Sequence, residues 1–481
     1  MAGTSDHGAA PVRAVSGATL RGSDSARGRV TRDNGGSRVG CDSSSRPGKV
    51  LRVSQEPTSA AAPRRRGRSR RKHTVGQVLL VSLVVLGLVT ALSVVFLYRH
   101  LNGNLTVSDA FDEVDNAPEE VVTGPQKPMN VLVMGSDTRE GEGNQIDGEG
   151  GAGSDTTILF HLSADRTRAY GVSIPRDSLV TRPDCGADNE IPGGENVMWN
   201  EAFGLGEEAC TIEQFQEATG VRVHHFVVVD FNGFKDMVDA IGGVDVCIPR
   251  DFEDPAHNIH IEAGDRVLKG DEALSYVRVR YNIGDGSDLG RIKRQQAFIA
   301  SMVNKVVSAG TLANPARVVS FLNAATKSLT VDEGLQNVTK IAQLALEFQD
   351  IGLGNIQFVT VPNGYYPSDS EFRGRVFWKQ PDAKRLWKKI AADKPLTSRL
   401  TDGAISAQQP PGSESPSPTA QPSKTGSDSP SPSETESSET ESPSETASPG
   451  ETESPSGTAS PSASPTSTLS AEEAEQLGLC A

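Results

Sequence analysis

The chain has 481 residues, of which 36% are hydrophobic and 5% aromatic, with 48 Gly, 29 Pro and a net charge of −15. This composition leaves room for one sizeable core and long polar flanks, and it excludes a uniformly globular chain. The flanks differ in charge, with 16 Lys/Arg against 5 Asp/Glu over residues 1–73 and one Lys against 13 Asp/Glu over residues 401–481.

The N-terminal part of the chain, residues 1–98, indicates a membrane anchor. Residues 1–73 are rich in Gly, Ser and Arg without hydrophobic periodicity, which predicts a disordered basic segment. Residues 74–98 carry no charge, and about 20 apolar residues suffice for a transmembrane helix. The run RRRGRSRRK directly before them predicts a cytoplasmic N-terminus and an extracellular remainder. A cleaved signal peptide is the alternative, although its apolar region is normally shorter.

Beyond the anchor the sequence predicts a linker, one folded domain and a tail. We expect an extracellular linker over residues 99–128 and a domain over 129–392, where β-rich runs alternate with amphipathic helices. Such alternation favours an α/β fold, here a layered α/β/α sandwich around a mixed central sheet. Residues 393–481 are predicted to be an acidic low-complexity tail rich in Ser, Pro, Thr and Glu, either a stalk or a solvated terminus without a fixed role.

Four cysteines follow the predicted span and would face an oxidising compartment. They are Cys185, Cys210, Cys247 and Cys480, and they allow three complete pairings. We favour a disulfide between Cys185 and Cys210, which would constrain the Gly/Pro/Asn-rich segment between them.

A cationic cluster lies in the stretch YVRVRYNIGDGSDLGRIKRQQAFI, residues 276–299. Arg278 and Arg280 are two apart, and Arg291 and Gln295 share one face of the next predicted helix. Arginine suits phosphate because its planar fork donates paired hydrogen bonds and stays charged. Nucleic acid is not expected as a partner, because the domain is acidic overall and predicted to lie outside the cell.

The same helix face becomes apolar towards its end, through Phe298, Met302 and Val306. This stripe suits a ligand with an anionic head and an apolar tail. The alternative interpretation is an ordinary buried helix whose first turn is solvated.

Carboxylates follow or begin three of the predicted strands. Asp137 ends one strand and Asp155 begins the next, where two oxygen ligands beside a diphosphate could hold Mg²⁺. Aspartates in loops also serve as caps and turn formers. Arg176 and Asp177 follow a third strand, which Pro175 ends.

Together the motifs GSDTR, SDTTILF, SIPRDSLV, IGGVDVCIP and LSYVRVR…SDLGRIKRQQAFI, behind one membrane span, resemble the LytR-CpsA-Psr family of cell-wall glycopolymer ligases. The resemblance is dense from Met129 to Ala309 and looser to Ala392. It implies a phosphotransferase that moves a glycopolymer from a polyprenyl-pyrophosphate carrier to an acceptor hydroxyl of peptidoglycan. The polymer itself, teichoic acid, arabinogalactan or capsule, stays open.

The resemblance also implies residue roles. Asp137 and Asp155 would hold Mg²⁺, Asp288 would hold the arginines in place, and the apolar stripe would line a lipid channel. The diphosphate would be gripped by Arg176, Arg278, Arg280, Arg291 and Gln295, with Arg278, Arg280 and Asp288 closest to the chemistry.

The chain departs from the family pattern at Gly153, where the family commonly has an arginine that Arg139 could replace. The base stays open among Asp137, Asp177 and Asp288. Alternatives are a non-catalytic polyprenyl-pyrophosphate binder that regulates the envelope, and transfer of glycan to a surface protein.

Overall fold

The protein's structure is a computed structural model that describes residues 72–115, 117–120, 126–136, 153–255, 259–279, 283–284, 286–307, 311, 313–411 and 469–480. The helices are α1 (Lys72–Asn102), α2 (Glu201–Thr219), α3 (Phe231–Ala240), α4 (Gly270–Arg278), α5 (Asp288–Val307), α6 (Pro315–Ser328), α7 (Val338–Ile351), α8 (Asp382–Ala391) and α9 (Ala471–Gln476). The strands are β1 (Thr106–Ser108), β2 (Met129–Ser136), β3 (Ser154–Leu162), β4 (Ala169–Ile174), β5 (Leu179–Arg182), β6 (Gly194–Met198), β7 (His225–Val229), β8 (Val244–Ile248), β9 (Phe252–Asp254), β10 (Ile259–Ile261), β11 (Gly264–Leu268), β12 (Leu329–Asp332), β13 (Ile356–Thr360), β14 (Asn363–Tyr365), β15 (Val376–Trp378) and β16 (Ile405–Ser406).

A central sheet of eight strands has the order β1-β12-β7-β2-β3-β4-β13-β16. The pairs β1/β12, β2/β7 and β4/β13 are parallel, and the remaining neighbours are antiparallel. The predicted mixed central sheet is therefore confirmed. The other strands form two-stranded ribbons β5/β6, β8/β11, β9/β10 and β14/β15.

Helices cover both faces of the sheet, because successive strand side chains point to opposite sides. Val359 of β13 packs in the cluster with α2 and α8, whereas its neighbour Phe358 packs in the cluster with α5 and α7. Gly171 of β4 lies under the Phe358 ring, where an added Cβ would be 2.6 Å from Cδ1. A glycine is needed there for the ring to lie on the sheet. The predicted α/β/α sandwich is confirmed.

A third apolar cluster joins α3, α4 and α5 with the β8/β11 ribbon. It contains Phe231 of α3, Tyr276 of α4 and Phe298 of α5, each 8% exposed or less. This cluster fixes the relative positions of the two helices that carry Arg278 and Arg291.

Helix α1 contains one candidate membrane span, Thr74–Asn102, whose most apolar 18 residues have mean hydropathy 2.8 and are not buried in the protein. Its end is attached to the domain: the Asn102 side chain accepts a hydrogen bond from Val338 N at 2.8 Å, and Leu101 is 3% exposed. Strand β1 follows at once as the sheet's edge strand. The stretch predicted as a linker, 99–128, thus contains part of the central sheet.

The fold also extends past Ala392, the predicted domain end. Strand β16 pairs with β13, and Ala404, Ile405 and Ala407 are buried. Residues Leu469–Cys480, here called the docked segment, pack on α5 through Ala474 and Leu479. The structure contains the favoured disulfide Cys185–Cys210 and a second one, Cys247–Cys480.

Candidate active site

Five of the residues singled out in the sequence meet at one edge of the central sheet: Asp155, Arg176, Asp177, Asp288 and Arg291. β2, β4 and β13 end at this edge, and β3, which runs antiparallel to β2 and β4, begins there. Asp155, the second residue of β3, therefore lies close to Arg176, which follows β4 two residues after its end. Their side chains form an ion pair from Arg176 Nη1 to Asp155 Oδ1. The two residues meet because β3 and β4 are antiparallel, which puts the start of β3 beside the end of β4.

Arg176 is the centre of a larger cluster of charges. Its Nε lies 3.8 Å from Asp177 Oδ1 and 4.0 Å from Asp288 Oδ1. Burial lowers the pKa of the Arg176 guanidinium, but the charges of Asp155, Asp177 and Asp288 outweigh that effect and raise its pKa. Arg176 is thus a permanent cation held among carboxylates.

The first turn of α5 contributes a buried ion pair to the same cluster. Asp288 begins the helix, and Arg291, one turn on, places Nη2 2.5 Å from Asp288 Oδ1. The two side chains are 7% and 3% exposed. Buried charges persist only when they are paired, so each residue fixes the other. Asp288 thereby pairs with Arg291 and lies near Arg176, and the holding role that the family resemblance implied for it stays a prediction.

Arg375 belongs to this cluster and was not predicted. Its Nη1 lies 3.8 Å from Asp177 Oδ1. The position follows from a backbone hydrogen bond of 3.0 Å from Val376 N to Asp177 O, which ties the start of β15 to the segment after β4. Nothing in the sequence near Arg375 indicates this partner, which only the β14/β15 hairpin brings close.

Asp177 is a carboxyl group of this cluster whose pKa is shifted upwards. Burial and the nearby charge of Asp288 raise its pKa, against the opposing effect of Arg176, Arg291 and Arg375. Tyr365 lies at the start of α5 as well, and burial, with a smaller effect of Asp288, raises its pKa. A carboxyl group with a raised pKa beside cations is a candidate proton acceptor.

Arg278 ends α4, and its guanidinium carbon lies 4.2 Å from the centroid of the Phe231 ring. Gln295 donates a hydrogen bond of 3.1 Å from Nε2 to Val277 O, so α5 is tied to the last turn of α4 beside Arg278. The structure therefore places Arg278 at the rim of the apolar cluster, with α5 alongside. Asp137, Arg139 and Arg280 lie outside the described residues.

The predicted lipid stripe is part of that apolar cluster. Phe298 is fully buried, with its ring centroid 5.4 Å from that of Phe234 and 6.4 Å from that of Tyr276. Met302 and Val306 are half-buried against the same cluster. Core packing and a lipid channel both place apolar side chains here, so the channel stays a prediction.

Of the two predicted metal ligands, Asp155 lies within the described residues and is paired with Arg176. Its carboxylate is the kind of hard oxygen donor that Mg²⁺ takes. Within the described ranges, no group of three or more His, Cys, Asp or Glu side chains is arranged to hold a metal ion. One carboxylate fits the ion, and the second ligand stays a prediction.

Gly153, at the departure from the family pattern, lies just before β3. A Cβ added there would be 3.6 Å from Asn200 O and 3.7 Å from Asn200 Nδ2, which are ordinary contact distances. The position therefore has room for a side chain.

Comparison with known proteins places these features in one family. Residues 97–392 match the model of the LytR_cpsA_psr family. The chain is 34% identical over 262 residues to the cell wall biosynthesis protein LcpA of Corynebacterium glutamicum, covering 48% of this chain and 49% of LcpA. It is 31% identical over 359 residues to that organism's probable cell wall biosynthesis protein LcpB, covering 71% and 78%.

A third relative is the polyisoprenyl-teichoic acid–peptidoglycan teichoic acid transferase TagV of Bacillus subtilis. It is 27% identical over 328 residues, covering 65% of this chain and 76% of TagV. The aligned part of the chain thus spans about half the length of LcpA and about three quarters of LcpB and TagV. With the family match extending over most of the folded region, the chain belongs to the LytR_cpsA_psr family.

Proposed function

We propose that the protein transfers a glycopolymer, with its phosphate, from a polyprenyl-pyrophosphate carrier to a hydroxyl of peptidoglycan during cell-wall assembly. The observation that carries this proposal is the charge cluster at the sheet edge, in which the partly exposed Asp155 and Arg176 lie beside the buried pair of Asp288 and Arg291. The family's TagV is named for the corresponding transfer of teichoic acid, which supports the same reaction class here.

Arg176 and Arg291 would bind the diphosphate, together with Arg278 and Arg280. Phosphoryl transfer depends mainly on positioning and on neutralising charge, which fixed guanidinium groups supply. The cluster is preorganised, since Asp288 holds Arg291 and faces Arg176 before any substrate binds. Arg375 would add a cation on the side of Asp177.

In the reaction, an acceptor oxygen would bond to the phosphorus that carries the glycan, and the anhydride bond to polyprenyl phosphate would break. The acceptor's proton needs a base. Asp177 is favoured among the described candidates because its raised pKa makes it a better proton acceptor than an ordinary carboxylate.

Mg²⁺ would be held by Asp155 and Asp137. When bound it would neutralise charge on the diphosphate oxygens. Turnover that stops on addition of EDTA and resumes with Mg²⁺ would support this assignment. Undiminished turnover in EDTA would remove the metal from the reaction.

The carrier's prenyl chain would lie along Phe298, Met302 and Val306. Since α1 carries a candidate membrane span, the lipid carrier and the domain would share one membrane. We place the protein in the cell membrane with a cytoplasmic N-terminus and the domain outside, as the basic run before the span indicates.

The direct test uses the full chain in detergent with a polyprenyl-diphosphate-linked glycan and peptidoglycan fragments. Release of polyprenyl phosphate and gain of glycan phosphate on the fragments should both occur. Arg278→Ala should abolish them. Arg399→Ala is the matched control, because its side chain is 74% exposed and pairs with Asp382 on α8.

Other outcomes of the same test identify the alternatives. Tight binding of the carrier without turnover would indicate a non-catalytic envelope regulator. Glycan recovered on a surface protein, with none on peptidoglycan, would change the acceptor while leaving the chemistry of the site intact.

A further inference from the structure

The docked segment packs against the loop that connects α4 to α5. This loop contains Arg280 and leads from Arg278 to Asp288. A Cβ added to Gly284 would lie 2.8 Å from Gln476 O, and a Cβ added to Gly478 would lie 2.9 Å from Ile283 Cγ1. Both glycines have positive φ, +61° and +76°. The two backbones are therefore in contact, and side chains at either glycine would separate them.

Arg294 joins the docked segment to the end of α4. The residue is fully buried. Its Nη2 donates to Val279 O, and its Nη1 lies 3.4 Å from Leu477 O, which accepts a second hydrogen bond. Val279 is the residue between Arg278 and Arg280. One buried guanidinium thus bridges the arginine-bearing backbone and the docked segment.

The docked segment is itself fixed by two independent means. Ala474 and Leu479 are each 2% exposed in the cluster with Ala297 and Ala300 of α5. The disulfide Cys247–Cys480 joins it to β8 across 233 residues of sequence, with the Cα atoms 5.7 Å apart. The disulfide keeps the segment near the domain even when its apolar contacts open.

We propose that Arg294 and the docked segment form a positioning device that holds the Arg278–Val279 backbone in place for the diphosphate. The inference rests on the function proposed above, because it assumes that Arg278 binds the carrier. Arg294 acts through Val279 O and is a positioning residue. Without the docked segment, the loop before Asp288 loses its backbone contacts at Gly284.

The device predicts a local change when either anchor is removed. In the full chain, Arg294→Gln and the double change Cys247→Ser/Cys480→Ser should raise amide hydrogen exchange over residues 277–291. A displacement of about 1 Å can cost about 100-fold in rate, so we expect kcat to fall between about 10-fold and 100-fold. KM for the carrier should change less than kcat.

Two matched variants separate positioning from general stability. Cys185→Ser/Cys210→Ser removes the other disulfide, which lies in a separate cluster with Ala202, and should leave exchange over residues 277–291 unchanged. Arg294→Lys keeps the charge but not the planar fork, so it should recover part of kcat. A purely stabilising role would lower the melting temperature and leave kcat unchanged well below it.

A second experiment keeps Arg294 and all four cysteines and starts from a folded, active chain that differs from the wild type only by an inserted protease site. A protease site is inserted between residues 440 and 441, and the purified protein is cut. The docked segment should stay attached through Cys247–Cys480, with kcat unchanged. Reduction should then release it and lower kcat, whereas reduction of the uncut chain should have a smaller effect because the segment stays tethered.

Unchanged exchange over residues 277–291, with unchanged kcat, in both Arg294→Gln and the cut and reduced protein would overturn the inference. Failure of the proposed function is a separate result. A wild-type chain that never releases polyprenyl phosphate refutes the function, while the exchange measurement still reports whether the docked segment holds the loop.

Discussion

Replacing Asp288 by asparagine removes one negative charge from the buried cluster and keeps the shape of the side chain. Asp288 pairs with Arg291 at 2.5 Å and lies 4.0 Å from Arg176 Nε. In the variant, Arg291, which is 3% exposed, would stay buried without its carboxylate partner. We therefore expect loss of both stability and activity.

The expected stability loss follows from the burial of this pair. Two unit charges 4 Å apart attract by about 4 kcal/mol at an effective dielectric constant of about 20. Breaking a buried pair typically costs about 3–5 kcal/mol, because one charge stays buried and uncompensated. Asparagine still offers an amide oxygen, so the lower end applies. A loss of about 3 kcal/mol should lower the melting temperature by roughly 5 °C in a domain of this size.

The assay compares melting and turnover of Asp288→Asn, Asp382→Asn and the wild-type chain. Asp382 also accepts from two arginines, Arg385 and Arg399, but these are 60% and 74% exposed. Exposed pairs contribute little, so Asp382→Asn should melt with the wild type. In Asp288→Asn, kcat/KM should fall about 100-fold as Arg176 and Arg291 shift. A variant that melts and turns over like the control would refute the role of the buried pair.

Three further predictions concern charge and pH. Arg375→Ala should lower kcat/KM about 10-fold by removing a charge-assisted contact, whereas exposed Arg373→Ala should not, as measured by steady-state kinetics. Burial and the charge of Asp288 raise the pKa of Asp177, so kcat/KM should fall as the pH drops through that raised pKa and Asp177 becomes protonated. In Asp288→Asn one of the two causes is removed, so the fall in kcat/KM should move to lower pH. A pH profile that does not move would exclude Asp177 as the base. Burial raises the pKa of Asp393, but hydrogen bonds from His161 and Ala164 N outweigh that effect and hold the pKa below its usual range. The Asp393 carboxylate therefore stabilises the fold fully above about pH 3.9, and this contribution is lost as the pH falls through the folded pKa. Denaturant titrations at several pH values should show this acid dependence in the wild type and lack it in Asp393→Asn.

Local patterns were sufficient for much of the architecture. Short apolar runs predicted the strands that became β2, β3 and β4, because a central strand covered on both faces, such as β4, is apolar along most of its length. The mixed sheet and the flanking helices were predicted from the alternation of strands and helices along the chain, and the structure has both. Arg176 and Asp155 were identified by their places beside strand ends, and the structure pairs them.

The sequence could not predict contacts between distant polar segments. Arg375 reaches Asp177 only through the β14/β15 hairpin, and no periodicity precedes it. The stretch predicted as a linker contributes β1, whose three residues are too few to show alternation. The docked segment was also not predicted, because a helix of six residues after a low-complexity stretch is too short to show a hydrophobic period.

By itself, the sequence determined the apolar span, the α/β layering and the cationic helix face of α5, because each depends on the spacing of neighbouring residues. Tertiary structure alone decided that Asp288 and Arg291 are buried together beside Arg176, and that Cys480 returns to Cys247 with Arg294 bridging Val279 and Leu477. The physical reason is that charge pairing and backbone contact act through space over a few ångströms, and chain order does not record which distant residues come that close.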